Sequence, residues 1–158
     1  MSAMKSTIQE ITMALGQLKL PAIVLRVINE LKADRSVREI WLIGSRANKM
    51  AIPTSDWDFL VRSNSNPKER SARCDSIDIL WAGPSGTILL EGQTETFAFS
   101  FSDFQWTEIA PGIAQYVGRK FIDDIECGVI RDAGKPIQNR PTQRAIRVWC
   151  SYQSTNVL

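Results

Sequence analysis

The chain contains no histidine, and only three cysteines in 158 residues. The first absence removes imidazole as a general acid or base and as a metal ligand. Cys74, Cys127 and Cys150 lie far apart, are odd in number and match no metal-binding spacing. Reduced thiols in a cytoplasmic protein are the expectation. Charge of one sign is also missing: 19 Lys and Arg face 17 Asp and Glu, a formal net of +2. So small a surplus argues against a dedicated partner of long nucleic acid. No apolar run approaches the roughly 20 residues of a membrane span. The opening Met-Ser-Ala-Met-Lys-Ser has no signal-peptide h-region, and no membrane partner is expected. There is no internal repeat and no clear linker. Any metal chemistry must therefore use oxygen ligands, which suits Mg²⁺ or Mn²⁺.

What is present is concentrated in residues 43–61, Ile-Gly-Ser-Arg-Ala-Asn-Lys-Met-Ala-Ile-Pro-Thr-Ser-Asp-Trp-Asp-Phe-Leu-Val. An apolar run ends in Gly44-Ser45, a short connection follows, and a strand carries Asp56 and Asp58. Residues two apart in a strand share a face and lie about 6.6 Å apart. Two carboxylates so placed can share divalent cations roughly 4 Å apart. Gly44 allows close backbone approach, and Ser45 offers a hydroxyl and an N–H at a helix start. A phosphate cradle beside metal-binding carboxylates points to phosphoryl or nucleotidyl transfer.

These residues resemble the nucleotidyltransferase superfamily that includes DNA polymerase beta, and within it the minimal nucleotidyltransferase branch. The family pattern is an apolar strand, Gly-Ser, a loop of fixed length, then Asp-x-Asp in a second apolar strand. Gly44, Ser45, Asp56 and Asp58 fit it, including the Ser before the first Asp, and Arg46-Ala47 looks like the usual continuation. The family adds a third carboxylate on a following strand, and Asp78 in Ser-Ile-Asp-Ile-Leu-Trp fits that place. The resemblance covers roughly residues 20–82. It implies a metal site of Asp56, Asp58 and Asp78, with Gly44, Ser45 and Arg46 on the nucleotide.

Each residue also has a plainer reading. Asp56 and Asp58 could be solvated on an edge strand. Asp is depleted in strands, however, and two on one face repel without a counterion. Ser45 could serve only as a helix N-cap, which is compatible with a phosphate role. Asp75 competes with Asp78, but it sits beside Arg73 and Cys74 at a strand start, where a solvated Asp is the default. Asp78 lies between two isoleucines, as a strand-interior residue would. Trp57 points away from the two carboxylates and is expected to pack in the core.

Elsewhere, Ile8, Ile11, Leu15 and Leu18 predict an amphipathic helix over 5–17. Ile23, Val24, Val27, Ile28 and Leu31 predict another after Pro21. Residues 38–43 read as a buried strand, 45–50 as the start of a short helix, 63–70 as a surface loop and 76–81 as a third strand. Pro84-Ser85-Gly86 reads as a turn into 87–90. The surrounding Gly-Pro-Ser-Gly-Thr lacks the Lys and spacing of a Walker loop. Phe97–Ser102 alternates as a strand does. Phe104, Trp106 and Ile109 have no basic residues among them and read as core. Ala114, Val117, Phe121, Ile122 and Ile125 predict a helix ended by Gly128. Its Asp123, Asp124 and Glu126 read as a solvated face, as do Arg119 and Lys120, although the latter pair could reach a triphosphate. Residues 135–147 carry Arg140, Arg144 and Arg147 with prolines. A phosphate- or RNA-contacting tail, a dimer arm and a poorly ordered end all remain open for them, and the last eight residues read as frayed.

The expected fold is α+β: a small mixed or antiparallel sheet with helices mainly on one face, nucleotidyltransferase-like. One domain over 1–135 precedes a polar extension over 136–158, and the length suffices for a core without staples. The resemblance implies transfer of a nucleoside monophosphate from an NTP, with Mg²⁺ or Mn²⁺, to a hydroxyl acceptor on a small molecule, protein or RNA end. Pyrophosphate is released. Small members of the superfamily often pair with a second protein, so a protein partner or homodimer is an open expectation. Two alternatives are a non-catalytic nucleotide-binding or interaction module, such as the antitoxin-like partner of a toxin–antitoxin pair, and an RNA-binding adaptor using the arginines.

Overall fold

The structure, a computed structural model, describes residues 19–68, 74–92, 96–121 and 137–151. The helix expected over 5–17 and the acidic cluster Asp123, Asp124 and Glu126 lie outside them, as does Cys127.

Helix α1 (Ala22–Ala33) leads into strand β1 (Val37–Ile43), the single turn α2 (Gly44–Ala47) and strand β2 (Trp57–Ser63). Then come β3 (Ile77–Ala82), β4 (Thr87–Leu90), β5 (Thr96–Ser100), a 3₁₀ turn (Phe101–Phe104), β6 (Thr107–Ala110), β7 (Ile113–Phe121) and β8 (Ile137–Cys150). The eight strands form one mixed sheet in the order β5-β4-β3-β2-β1-β8-β7-β6. Only β2 and β3 run parallel; the other neighbours are antiparallel. The α+β expectation agrees with this, although strands far outnumber helices.

Alternation along the strands divides the core in two. Ile40 and Leu42 of β1, Phe59 and Val61 of β2, and Ile79 of β3 face α1, which buries Val24, Val27, Ile28 and Leu31 against them. Trp57 joins this layer, as expected. Trp41, Ile43 and Leu60 face the other way and pack with Ile88, Phe99, Phe104, Ala114 and Tyr116. Among the described residues that second face has no helix over it. The sheet curls instead, and the 3₁₀ turn carries Phe104 between Phe99 of β5 and Tyr116 of β7, ring centroids 5.5 and 5.9 Å away. Trp106 packs edge-on to Trp41 at 5.1 Å, so the aromatic segment is core, while Ile109 stays exposed.

Two expectations are corrected. The helix expected over 114–125 is, as far as Phe121, strand β7. The exposed side chains there are less telling than the inward ones: Gly112, Ala114, Tyr116 and Gly118 are buried at every second position. Three of those four are too small to register as a hydrophobic period, so Val117 and Phe121 mimicked helical spacing. Residues 137–150, set apart above as a polar extension, form the longest strand, inserted between β1 and β7. The arginines explain why a central strand reads as polar. Arg147 and Arg62 both meet the buried carboxylate of Glu39, at 3.5 and 3.1 Å, and Trp41 donates its indole N–H to it at 3.3 Å. Pro141, which cannot donate to a ladder, falls where the β7 register shifts and beyond the reach of β1, whose partners begin at Ile146.

Candidate active site

The connection from β1 to β2 sets the site. β1 ends at Ile43, whose antiparallel partner is Asp58. Gly44 then turns the chain at φ +70°, a region open to glycine and strained for other residues. A Cβ on Gly44 would collide with Asp58 Oδ2 and lie 3.1 Å from its Cγ. The glycine is therefore what lets the carboxylate lie directly against the turn. On its other side, Asp58 is the register partner of Asp78 in the parallel pair. Register partners in adjacent strands share a face and lie about 5 Å apart. Asp56 precedes β2 by one residue, and the Trp57 N–H donates to Ser76 O at 2.8 Å, tying the starts of β2 and β3 together. Asp75 sits in the turn before β3 rather than on the strand.

Proximity of the acids has an electrostatic signature. Desolvation raises the proton affinity of Asp78 above the ordinary carboxylate value, and the negative charge of Asp56 raises it further. Among the described residues no Lys or Arg forms an ion pair with Asp56 or Asp78. Nor do three acidic side chains converge on one point that a single ion could occupy, among the described residues. The donor set itself, hard carboxylate oxygens, fits Mg²⁺ or Mn²⁺.

A consequence for stability follows. An acid whose folded-state proton affinity is raised penalises the fold once it ionises, so stability falls as pH rises from 3.8 upward through the raised value. Asp78→Asn removes that penalty. Its Tm is expected to exceed that of the wild type at pH 7 by on the order of 2 °C in metal-free buffer, given the screening at a partly exposed site. The difference should vanish below pH 3.8. A lower Tm for the variant at pH 7 would contradict this account.

The remaining residues divide into those facing the site and those holding it. α2 is one turn with no side-chain cap, and its first residue is Gly44; Ser45 is not the N-cap. So short a helix carries little macrodipole. What it offers is the Ser45 hydroxyl, which makes no hydrogen bond among the described residues. The Arg46 guanidinium is directed elsewhere. It donates to Ser55 O at 2.6 Å and Asp56 O at 3.2 Å, and lies 4.1 Å over the Trp57 ring. Arg46 thus fixes the loop that delivers Asp56. Arg119 is likewise engaged, with Asp103 at 3.8 Å.

Three holding residues escaped sequence reasoning. The Asn48 side-chain amide donates to Gly44 O at 2.7 Å and to Arg144 O of β8, and accepts the Arg144 N–H. Tyr116 accepts the Gly44 N–H at 3.2 Å and donates to Gln143 Oε1 at 2.9 Å. Only Asn48 left a signal, as a short amide close behind the Gly-Ser turn. A separate cleft of about 470 Å³ near Arg38, Arg62 and Phe101 opens at the other end of β1 and β2. The Trp41–Leu60 pair lies between it and the carboxylates.

A family model described as a nucleotidyltransferase domain matches residues 24–126, more than half of the chain. The chain belongs to the nucleotidyltransferase-domain family. Neither the comparison with curated proteins nor that with solved structures returned a match. The nucleotidyltransferase match contains the Gly-Ser turn and all three carboxylates and stops short of β8. Membership supports a transferase, and no helix among the described residues is long and apolar enough to cross a membrane.

Proposed function

We propose that this nucleotidyltransferase-family protein moves a nucleoside monophosphate from an NTP to a hydroxyl acceptor in a divalent-metal-dependent reaction. The observation that carries the reading is the contiguity of the Gly44 turn, Asp58 and Asp78 across three adjacent chain segments. Asp56 and Asp58, completed by Asp78, would hold Mg²⁺ or Mn²⁺. Bound there, such ions neutralise triphosphate charge and make an acceptor hydroxyl a better nucleophile.

The chain's own residues supply the rest. Ser45 donates its hydroxyl and N–H to the outer phosphates. Gly44 leaves room for them beside Asp58, and Arg46 keeps Asp56 in position. The acceptor oxygen attacks the α-phosphorus, the bond to the bridging oxygen breaks, and pyrophosphate leaves with its electron pair. Asp78, whose proton affinity is raised, takes the hydroxyl proton. Most of the acceleration then comes from alignment and charge neutralisation.

The test is label transfer from α-labelled ATP, GTP, CTP and UTP with Mg²⁺ or Mn²⁺, using a lysate, aminoglycosides and RNAs as acceptors and Asp56→Ala as control. Label on an acceptor with wild type alone is the expected result. Absence of both transfer and metal-dependent NTP binding would transfer the assignment to the non-catalytic module.

A further inference from the structure

Both polar groups of the Gly44 backbone are held by residues anchored on β7 and β8. The N–H reaches the Tyr116 hydroxyl at 3.2 Å, and that hydroxyl donates to Gln143 at 2.9 Å. Tyr116 and Gln143 are themselves register partners. The carbonyl accepts from Asn48 at 2.7 Å, and Asn48 pairs with the Arg144 backbone. The phenol has little room to wander. Tyr116 is 5% exposed, stacked on Trp106 at 5.3 Å and edge-on to Phe104 at 5.9 Å.

A phenol in this place is not needed to fill space, since phenylalanine would pack as well. Its oxygen accepts from the amide of the residue whose positive φ brings the turn against Asp58. We infer that Tyr116 is a positioning residue for nucleotide binding: its hydroxyl, oriented by Gln143, holds the Gly-Ser turn in the one conformation that receives the triphosphate. This rests on the reading of the site as an NTP site. It also divides the labour within the turn. The Gly44 N–H is committed to Tyr116, so the donors left for phosphate begin at Ser45.

If the hydroxyl is lost, the turn samples other conformations. Apparent affinity falls by the fraction of molecules still competent, while those that do bind react normally. Tyr116→Phe is therefore expected to raise KM for the NTP about tenfold, the effect of about one neutral hydrogen bond, with kcat within about twofold of wild type. A tyrosine that merely stabilised the fold would leave KM unchanged well below Tm. The second readout needs no turnover: amide exchange at Gly44, followed by NMR in the absence of nucleotide. It should accelerate at least about tenfold in Tyr116→Phe and by less in Gln143→Leu, which removes only the acceptor orienting the phenol. Unchanged KM, or unchanged Gly44 exchange, in Tyr116→Phe overturns the inference. Wild-type protein that neither binds nor transfers any of the four Mg²⁺–NTPs would overturn the functional reading instead. Gly44 exchange would then still decide whether Tyr116 pins the turn.

Discussion

Asp58→Asn is expected to reduce transfer by at least about 10³-fold while leaving the protein folded. The substitution keeps shape and removes one negative charge. Asp58 is the middle of the three acids, beside the Gly44 turn on one side and across from Asp78 on the other. An amide there is a far weaker ligand for a hard cation, and the electrostatic gain of bringing metal, triphosphate and acceptor together is lost. The deciding comparison is Tm with and without Mg²⁺–NTP. Wild type should gain stability from the ligand by mass action and Asp58→Asn should not. Transfer at the wild-type rate by the variant would remove the carboxylates from the mechanism.

Gly44→Ala is expected to damage both fold and activity. Alanine at φ +70° costs about 1–2 kcal/mol in backbone strain alone. The added methyl also runs into the Asp58 carboxylate. Asp58 is a short side chain on an inner strand and cannot swing clear without leaving its place beside Asp78. The combined loss should be about 2–4 kcal/mol, several degrees in Tm, with transfer reduced more than about 100-fold at temperatures where the variant is folded. Gly86 provides the control. Its φ is +78°, and a Cβ there meets nothing within 4 Å. Gly86→Ala should show the strain alone, about 1 kcal/mol, with activity retained. Equal effects of the two substitutions would mean that closeness to Asp58 is irrelevant.

The parts of the molecule legible in the sequence are those where side chains announce their surroundings. Val24, Val27, Ile28 and Leu31 mark the buried stripe of α1, and the apolar runs of β1 to β3 are large residues on both faces. Gly44-Ser45, Asp56-x-Asp58 and Asp78 stand out because acids and a glycine interrupt those runs. β7 and β8 were opaque for a physical reason. In β7 the inward positions are Ala114 and Gly118, with only Tyr116 large. In β8 the buried Ala145 and Ile146 are followed by Arg147, whose charge is balanced by Glu39 and Glu108, residues distant in sequence. No local pattern reports such a balance. The same distance hid Tyr116 and Gln143 from any reading of the Gly-Ser turn.

The placement of β8 has a bearing on the order in which the protein becomes competent. Ribosomal synthesis delivers the Gly-Ser turn and all three acids well before residues 137–150 exist. Until that strand arrives, β1 has an open edge, Asn48 lacks the Arg144 backbone and Tyr116 lacks Gln143. The proposed nucleotide site is thus assembled from early residues but fastened by late ones, with Leu42 waiting for Ile146. Such long-range pairing is slow and leaves hydrophobic strand edge exposed meanwhile. Nascent chains stalled before residue 137 should therefore be silent toward NTP even with every acidic ligand translated, a built-in delay between making the chemistry and switching it on.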